Sequence, residues 1–454
     1  MSRTRLTALD ASFLEVESST AHMHVGWASL FARPDGKPRP TFEELRAHVG
    51  GRLGRAPRYR QKLARVPFGL NDPVWVDDPS FDVARHVRRA RSRNFQSVVD
   101  EVMSVPLDRS RPLWELWIAD DLDDDRIGAI GKVHHCMVDG IAAVELSAVM
   151  LDASPDAAPD ERAEWLPKRE PAALELAAEG ALARVTQMAS LARVAPAVIR
   201  RPSRAVGRAV RAARAAHSSL NPACRAPLNT PISSRRHLAR TCRALDDLRD
   251  IKRDHGGTVN DVVLAAAAGG LRRFLRDRGE TPVPLKAMVP VNVREKGGAG
   301  ELGNRLSFVF VDLPCDEPDP LRRLQRVQAA MGRCKAGGEP EGADFLLEAV
   351  EYAPRTIQHA IAHLVSSARA FNVVVSNIPG PALPVYMRGC KLEEAYPVVP
   401  LADDHGVSIG MTTVAGEACF GVFADAETLP DADALAAAIA DSVDELGRVP
   451  VAPR

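Results

Sequence analysis

A chain of 454 residues, 46% of them hydrophobic, can build two or three domains with sizeable cores. Its 59 basic and 59 acidic residues cancel, which leaves no global basic signature for nucleic acid. Seven scattered cysteines, odd in number and without a CxxC pair, argue against a disulfide framework or a zinc site and for a reducing compartment. Mixed polar sequence follows Met1-Ser2-Arg3-Thr4-Arg5, so no secretory signal is expected. The longest apolar stretch, Val262 to Leu271, falls short of the roughly 20 residues of a membrane span. A cytoplasmic protein, soluble or peripheral to a membrane, is expected.

The first region, 1–155, alternates strand-like and helical patterns. Met23 to Phe31 reads as a strand, Phe42 to Leu53 and Asn94 to Met103 as helices, and Trp114 to Ala119 and Arg126 to Val133 as strands. The next run, His134-His135-Cys136-Met137-Val138-Asp139-Gly140, has the pattern HHxxxDG, and helical periodicity follows it to Leu151. The middle, 156–224, is an Ala/Arg/Pro-rich helical linker. In it Arg200, Arg201, Arg204, Arg208, Arg211 and Arg214 fall at mostly three- and four-residue spacings, which puts most of them on one helical face. Such a stripe suits anionic lipid head groups or a solvated linker, and its alanine neighbours offer little insertion energy. The last region, 225–454, carries helical patterns at Leu245 to His255, Val259 to Arg278 and Asp431 to Leu446. Its strand patterns are Leu285 to Val291, Leu306 to Leu313, Val373 to Ser376 and Gly406 to Phe423. Each half reads as α/β with a mixed sheet.

HHxxxDG sits where a strand hands over to a helix, a common place for catalytic groups. Neighbouring residues on an extended segment point to opposite faces, so one histidine faces a cleft and the other is scaffold. An unperturbed imidazole titrates near 6.5 and supplies a neutral base at physiological pH. It can take a proton from a hydroxyl or amine as that group attacks a carbonyl. Asp139 could orient the imidazole or tie down the loop through an arginine, and Gly140 allows a tight exit into the helix. The alternative is two satisfied core histidines beside a capping aspartate. A metal site is disfavoured, because adjacent histidines do not easily share one ion.

Four other patterns call for weighing. Gly406-Val407-Ser408-Ile409-Gly410 matches the GxSxG elbow, which needs a strand, a turn and then a helix. Strand-like Met411-Thr412-Thr413-Val414 and the turn Ala415-Gly416 follow instead, so Ser408 is expected on an ordinary strand. His359 and His363 have the i,i+4 spacing of metal ligands, but Ala360-Ile361-Ala362 between them argues for a packed helix. Asn260-Asp261 opens an apolar helix as a cap, with Thr258 as an alternative cap. Ser376-Asn377-Ile378-Pro379-Gly380-Pro381 reads as a rigid turn.

Leu6-Thr7-Ala8-Leu9-Asp10-Ala11-Ser12-Phe13-Leu14, Arg111-Pro112-Leu113-Trp114-Glu115, HHxxxDG, Asn260-Asp261-Val262-Val263-Leu264-Ala265 and Ser376 to Pro381 occur in that order. Together they resemble the bacterial wax ester synthase/acyl-CoA:diacylglycerol acyltransferase family, from about residue 4 to about residue 446. HHxxxDG alone would indicate only the wider superfamily of CoA-dependent acyltransferases and condensation domains. The resemblance implies two chloramphenicol-acetyltransferase-like domains with mixed sheets and an active-site channel between them. The domains are then expected at 1–155 and 225–454. It also implies acyl-CoA as substrate with no other cofactor and no metal. The acceptor would be diacylglycerol or a fatty alcohol, and a lipid-droplet or membrane surface a possible partner. His135 matches the family's general base, while His134 and Asp139 are assigned to site geometry. Asp139 would pair with an arginine, Arg111 and Arg294 being candidates. The resemblance sets Asn260 beside the reacting carbonyl, and the turn holding Asn377, Pro379 and Gly380 along the acyl or CoA channel. Condensation chemistry on another acceptor, or an inactive lipid-binding homologue, are the alternatives.

Overall fold

A computed structural model describes residues 4–34, 36–137, 149–158, 165–200, 221–293, 305–351, 353 and 355–451. Asp139, Gly140, Arg294 and the arginines from 201 to 214 lie outside the described residues, as does the side chain of Arg200.

The first half runs through α1 (Ala8–Glu15), β1 (His24–Phe31), α2 (Phe42–Arg52), β2 (Gln61–Ala64) and β3 (Val74–Asp77). A short α3 (Val83–His86), β4 (Val87–Arg89), α4 (Phe95–Ser104), β5 (Trp114–Ala119) and β6 (Ile127–His134) follow. After the long α5 (Ala173–Arg200) come β7 (Arg236–Ala244), α6 (Leu245–His255), α7 (Val259–Asp277), β8 (Leu285–Val293) and β9 (Arg305–Leu313). Three helices, α8 (Pro320–Gly337), α9 (Glu339–Glu351) and α10 (Arg355–Val365), lead to β10 (Val373–Ile378), β11 (Tyr386–Met387) and β12 (Cys390–Val398). The hairpin β13 (Val407–Val414) and β14 (Glu417–Asp425) and then α11 (Ala432–Gly447) close the chain.

Apart from the antiparallel pair β2-β3, the described strands form two six-stranded mixed sheets. The first has the order β11-β12-β1-β6-β5-β4, and only β4 and β5 are parallel. The second has the order β7-β14-β13-β10-β8-β9, with β10 parallel to both its neighbours. The segment expected as strand from Gly406 to Phe423 is thus two strands, turned at Ala415 and Gly416, which both take positive φ.

The sheets do not follow the expected division of the chain at 155 and 225. β12, from the last region, pairs with β1 from Gly26↔Val398 to Phe31↔Leu392 and belongs to the first sheet. Its end lies over the second sheet, where glycines leave room for it. A Cβ on Gly421 would stand 2.3 Å from the Pro397 carbonyl oxygen, and one on Gly410 would stand 2.8 Å from the Pro397 ring. Around that crossing Leu30, Phe95, Ile130, Leu238, Tyr396, Val398, Cys419 and Phe423 share one buried core.

Helix α4 is the second joint. The Asn94 side chain caps it by accepting the Ser97 N–H at 2.9 Å, and Phe95, Val98, Val99, Val102 and Met103 form its buried face. Its polar face covers the free edge of β7. Gln96 donates to the Leu238 carbonyl at 3.1 Å, Asp100 accepts the Leu238 N–H at 3.2 Å, and Ser104 accepts the Arg236 N–H at 2.8 Å. These bonds cover the Arg236 to Leu238 end of the edge, which an open strand would offer to other chains.

Candidate active site

β6 is buried at every residue, and it lies between β1 and β5 with His24 opposite His134. Its core position needs Gly131, because a Cβ there would stand 1.9 Å from the Trp27 ring. The His134 N–H donates to the Leu113 carbonyl at 2.9 Å, and the strand ends at that residue.

The two histidines of HHxxxDG then part. His134 is fully buried. Its Nδ1 accepts the Cys136 N–H at 3.1 Å, so in the neutral ring the proton sits on Nε2. Nε2 faces the Glu17 carboxylate at 3.6 Å. Glu17 lies just beyond α1 and is ion-paired with Arg109, which also donates to the Leu14 carbonyl at 3.1 Å. Burial, and after it the Arg109 charge, hold the His134 imidazole down at about 3. Arg109 thus takes the carboxylate's charge, and His134 remains a neutral strut.

His135 begins a single 3-10 turn, His135–Met137. Its N–H donates to the carbonyl of Met23 at 2.9 Å, and Met23 adopts a left-handed backbone with φ of 47° to meet it. The ring stacks on Phe13 with centroids 3.6 Å apart and planes 16° from parallel. It is partly exposed, its Nδ1 is buried, and Nδ1 makes no hydrogen bond among the described residues. Burial lowers its pKa to about 4, its own carbonyl works against that, and His134 adds to it. Of the pair, His135 is the one whose neutral ring is partly exposed.

The turn packs on α1, which also packs on α9 and α10 of the second half. Glu15 at the end of α1 accepts from Arg355 at 2.9 Å and pairs with His359 at 3.2 Å, so ion pairs tie the α1 wall to α10. The expectation of a packed helix around His359 and His363 is met on one face only, where Ala362 and Val365 lie against buried cores. No described residue of α10 is buried, Ile357 and Leu364 are about half exposed at 49% and 51%, and the two rings stand edge to face at 4.4 Å. Among the described residues no group of three His, Cys, Asp or Glu side chains is arranged to hold a metal.

Cys136 is buried and its thiol is pushed far up by burial, which disqualifies it as a nucleophile. Ser408 is buried on β13 and donates to the Val399 carbonyl at 2.7 Å, and its strand continues to Val414 without a helix. The ordinary-strand reading therefore holds. Arg111 pairs with Asp108 at 3.3 Å, both being partly exposed.

Thr258, not Asn260, caps α7. The Asp261 carboxylate accepts the Thr258 N–H at 2.8 Å, while Thr258 Oγ1 accepts the Asp261 N–H at 3.2 Å. Asp261 is thus a capping residue, and Asn260 stands partly exposed in the first turn. Asn377 lies at the end of β10 opposite Met411, and Pro379 beyond it is exposed. Gly380 crosses β13 so closely that a Cβ would stand 1.7 Å from the Thr413 carbonyl oxygen. Among the described residues no hydrogen bond or ion pair joins Asn260, Asn377, Pro379 or Gly380 to the histidine pair.

Sequence reasoning missed Glu17, Arg109, Phe13, Met23 and His24. His24 is buried and its Nε2 accepts the Leu107 N–H at 3.2 Å. Phe13 lies in the segment Leu6 to Leu14 and the alternation His22-Met23-His24 marks two more, but the Glu17–Arg109 pair spans separate segments and leaves no signal on the chain.

Residues 6–263 match the profile described as wax ester synthase/diacylglycerol acyltransferase catalytic domain, and residues 302–447 match the profile of the WS/DGAT C-terminal domain. A probable diacylglycerol O-acyltransferase of Mycobacterium tuberculosis is 32% identical over 457 residues, which cover 97% of this chain and 95% of that one. The solved wax ester synthase/diacylglycerol acyltransferase of Marinobacter aquaeolei VT8 is similar with a TM-score of 0.69 and 26% identity, over 98% of each chain. The starter condensation domain of rhizomide synthetase shares the fold alone, with a TM-score of 0.58 and 15% identity over 98% of this chain and 94% of that one.

Proposed function

The chain belongs to the wax ester synthase/diacylglycerol acyltransferase family, and on that premise we propose how its histidine pair serves acyl transfer from acyl-CoA to a lipid hydroxyl. It is an acyl-CoA-dependent O-acyltransferase, and acyl-CoA is its substrate. The observation that carries the residue assignment is the difference between the two histidines. One is buried and hydrogen-bonded, and the other is neutral, partly exposed and clamped on Phe13.

His135 acts as general base. Its Nδ1 is buried, so Nε2 is the nitrogen that receives the proton of the bound hydroxyl. The hydroxyl oxygen attacks the thioester carbonyl, and the tetrahedral oxyanion collapses with cleavage of the carbon–sulfur bond. The imidazolium returns its proton to the CoA thiolate, which regenerates the neutral ring. Asn260 donates a hydrogen bond to the reacting carbonyl, and Asp139 fixes the loop through an arginine. Asn377, Pro379 and Gly380 shape the acyl or CoA channel. No acyl-enzyme forms, in keeping with the high pKa of Cys136.

Because the free imidazole is held at about 4, the rate should be nearly flat from about pH 5 to 8 and should fall below that range, read from kcat/KM against pH. Stability follows the same sign. Between the ordinary value of 6.5 and about 4 the unfolded chain binds protons that His134 and His135 refuse, so stability drops as pH falls through that window.

The test of function is product analysis. Labelled palmitoyl-CoA is offered to the purified protein with hexadecanol or dipalmitoylglycerol, and the ester itself is read. Wax ester or triacylglycerol that disappears in His135→Ala supports the reading and ranks the acceptors. No ester with either acceptor, from folded protein, would overturn it.

We also infer a cytoplasmic enzyme that works at a membrane or lipid-droplet surface. Among the described residues no helix is long and apolar enough to cross a membrane. Phe68 is 93% exposed at the tip of a turn with φ of 57°, and α5 packs beside that turn, with Gly180 against Val66. On α5, Leu182 and Val185 are each 65% exposed. Inserting side chains of this size is worth roughly 1.5–3 kcal/mol each. Phe68→Ser combined with Leu182→Ser should therefore weaken vesicle flotation by at least about tenfold. Unchanged flotation of the double variant would remove this surface as the contact.

A further inference from the structure

Cys242 on β7 and Cys419 on β14 are directly opposed in the antiparallel ladder. Opposed residues there have Cα atoms roughly 4.5–5.5 Å apart, inside the roughly 4.4–6.8 Å that a disulfide spans. Both thiols are free, and their Sγ atoms stand 2.7 Å apart. Unbonded heavy atoms ordinarily rest at about 3.5–4 Å.

The surroundings differ for the two sulfurs. Cys419 is buried, while Cys242 on the edge strand is partly exposed. Cys242 donates to Tyr396 Oη at 3.3 Å, and Tyr396 donates to the Glu394 carboxylate at 2.7 Å. Glu394 in turn accepts from Arg126 at 2.6 Å. The dithiol therefore ends a polar chain that runs from β12 of the first sheet to the edge of the second. Contact with Cys419 and Tyr396 lowers the pKa of Cys242, and that of Cys419 is raised. The accessible sulfur is thus the more acidic of the two thiols, and the one whose thiolate forms more readily.

We propose that Cys242 and Cys419 form a reversible redox modification site that takes a hydroperoxide oxidant. The Cys242 thiolate attacks a peroxide oxygen, the O–O bond breaks, and sulfenic acid and hydroxide form. Cys419 then attacks the sulfenic sulfur, the S–S bond forms, and water leaves with the Cys419 proton. Two electrons pass from the thiols to the peroxide. The product joins β7 to β14 and takes the S–H donor away from Tyr396.

The test uses the full chain, reduced and then exposed to limiting hydrogen peroxide. Free thiols are alkylated under native conditions and after denaturation, and peptides are mapped without reductant. The expected result is one linked peptide carrying Cys242 and Cys419, loss of two of the seven thiols, and recovery of both with dithiothreitol. Cys419→Ser should instead accumulate a dimedone-reactive sulfenic acid at Cys242. Exposed Cys224 serves as an internal comparison. Oxidation at Cys224 alone, or a dimedone adduct at Cys242 of the wild type without the linked peptide, would overturn the proposal. The wild-type map needs no substitution, so a variant that fails to fold does not blur it. It is also independent of acyl transfer.

Discussion

His135→Ala is expected to lower acyl-transfer turnover by about 10²–10⁴-fold, the usual contribution of a general base. The fold should survive. What holds the turn is the His135 main chain, whose N–H reaches the Met23 carbonyl, and alanine keeps that hydrogen bond. The ring contributes its stack on Phe13, whose loss leaves a partly exposed gap at the rim. The same substitution at His134 should act differently. It removes a buried acceptor from the Cys136 N–H and the partner of the Glu17–Arg109 pair, so it should lower stability as well as rate. Steady-state kinetics and thermal unfolding of both variants separate the cases. Turnover near wild type in folded His135→Ala would remove this residue as the base.

Gly380→Ala should destabilise the chain by about 1–3 kcal/mol or more, the cost of overpacking a site that has no room. The obstacle is the main-chain oxygen of Thr413, 1.7 Å from the added Cβ. A backbone atom of β13, just past the last β10–β13 pair Ile378↔Thr412 and held in the β13–β14 ladder, does not swing aside as a side chain end would, so the turn after Ile378 must move. Gly332 supplies the control. It lies within α8 with nothing within 4 Å of a Cβ, and Gly332→Ala should stabilise by about 0.5–1 kcal/mol through helix entropy alone. Urea midpoints of the two variants should therefore shift in opposite directions. A wild-type midpoint for Gly380→Ala would show that the turn can yield.

Periodicity made most single elements legible. Trp114 to Ala119 and Leu245 to His255 match the observed β5 and α6, and Val259 to Arg278 exceeds α7 by one residue. These are segments whose own apolar pattern decides which face is buried. β12 was not legible, because Lys391-Leu392-Glu393-Glu394-Ala395-Tyr396-Pro397 mixes charges and a proline and draws its order from β1 and the second sheet. Helix α8 was readable and missed. Leu324, Val327, Met331 and Cys334 have helical spacing, and Asp319-Pro320 is a good start signal, but the many arginines obscured the stripe. Around α10 the apolar run Ala360-Ile361-Ala362 signals packing, and only one face of it is covered, because a run does not say how deep its cover is. For the site, HHxxxDG located the histidines, whereas Glu17 and Arg109 find each other only through the folded chain.

The return of β12 to the first sheet constrains how the molecule is assembled on the ribosome. Until residues 390–398 emerge, β1 has β6 on one side and an unpaired edge on the other, and such an edge can capture other chains. The strand that closes it arrives more than 350 residues after β1 ends at Phe31. Pairings of that sequence separation form late, after costly loop closure. The nascent amino-terminal half therefore emerges as a client for chaperones, and the last quarter of translation is the step that retires the edge.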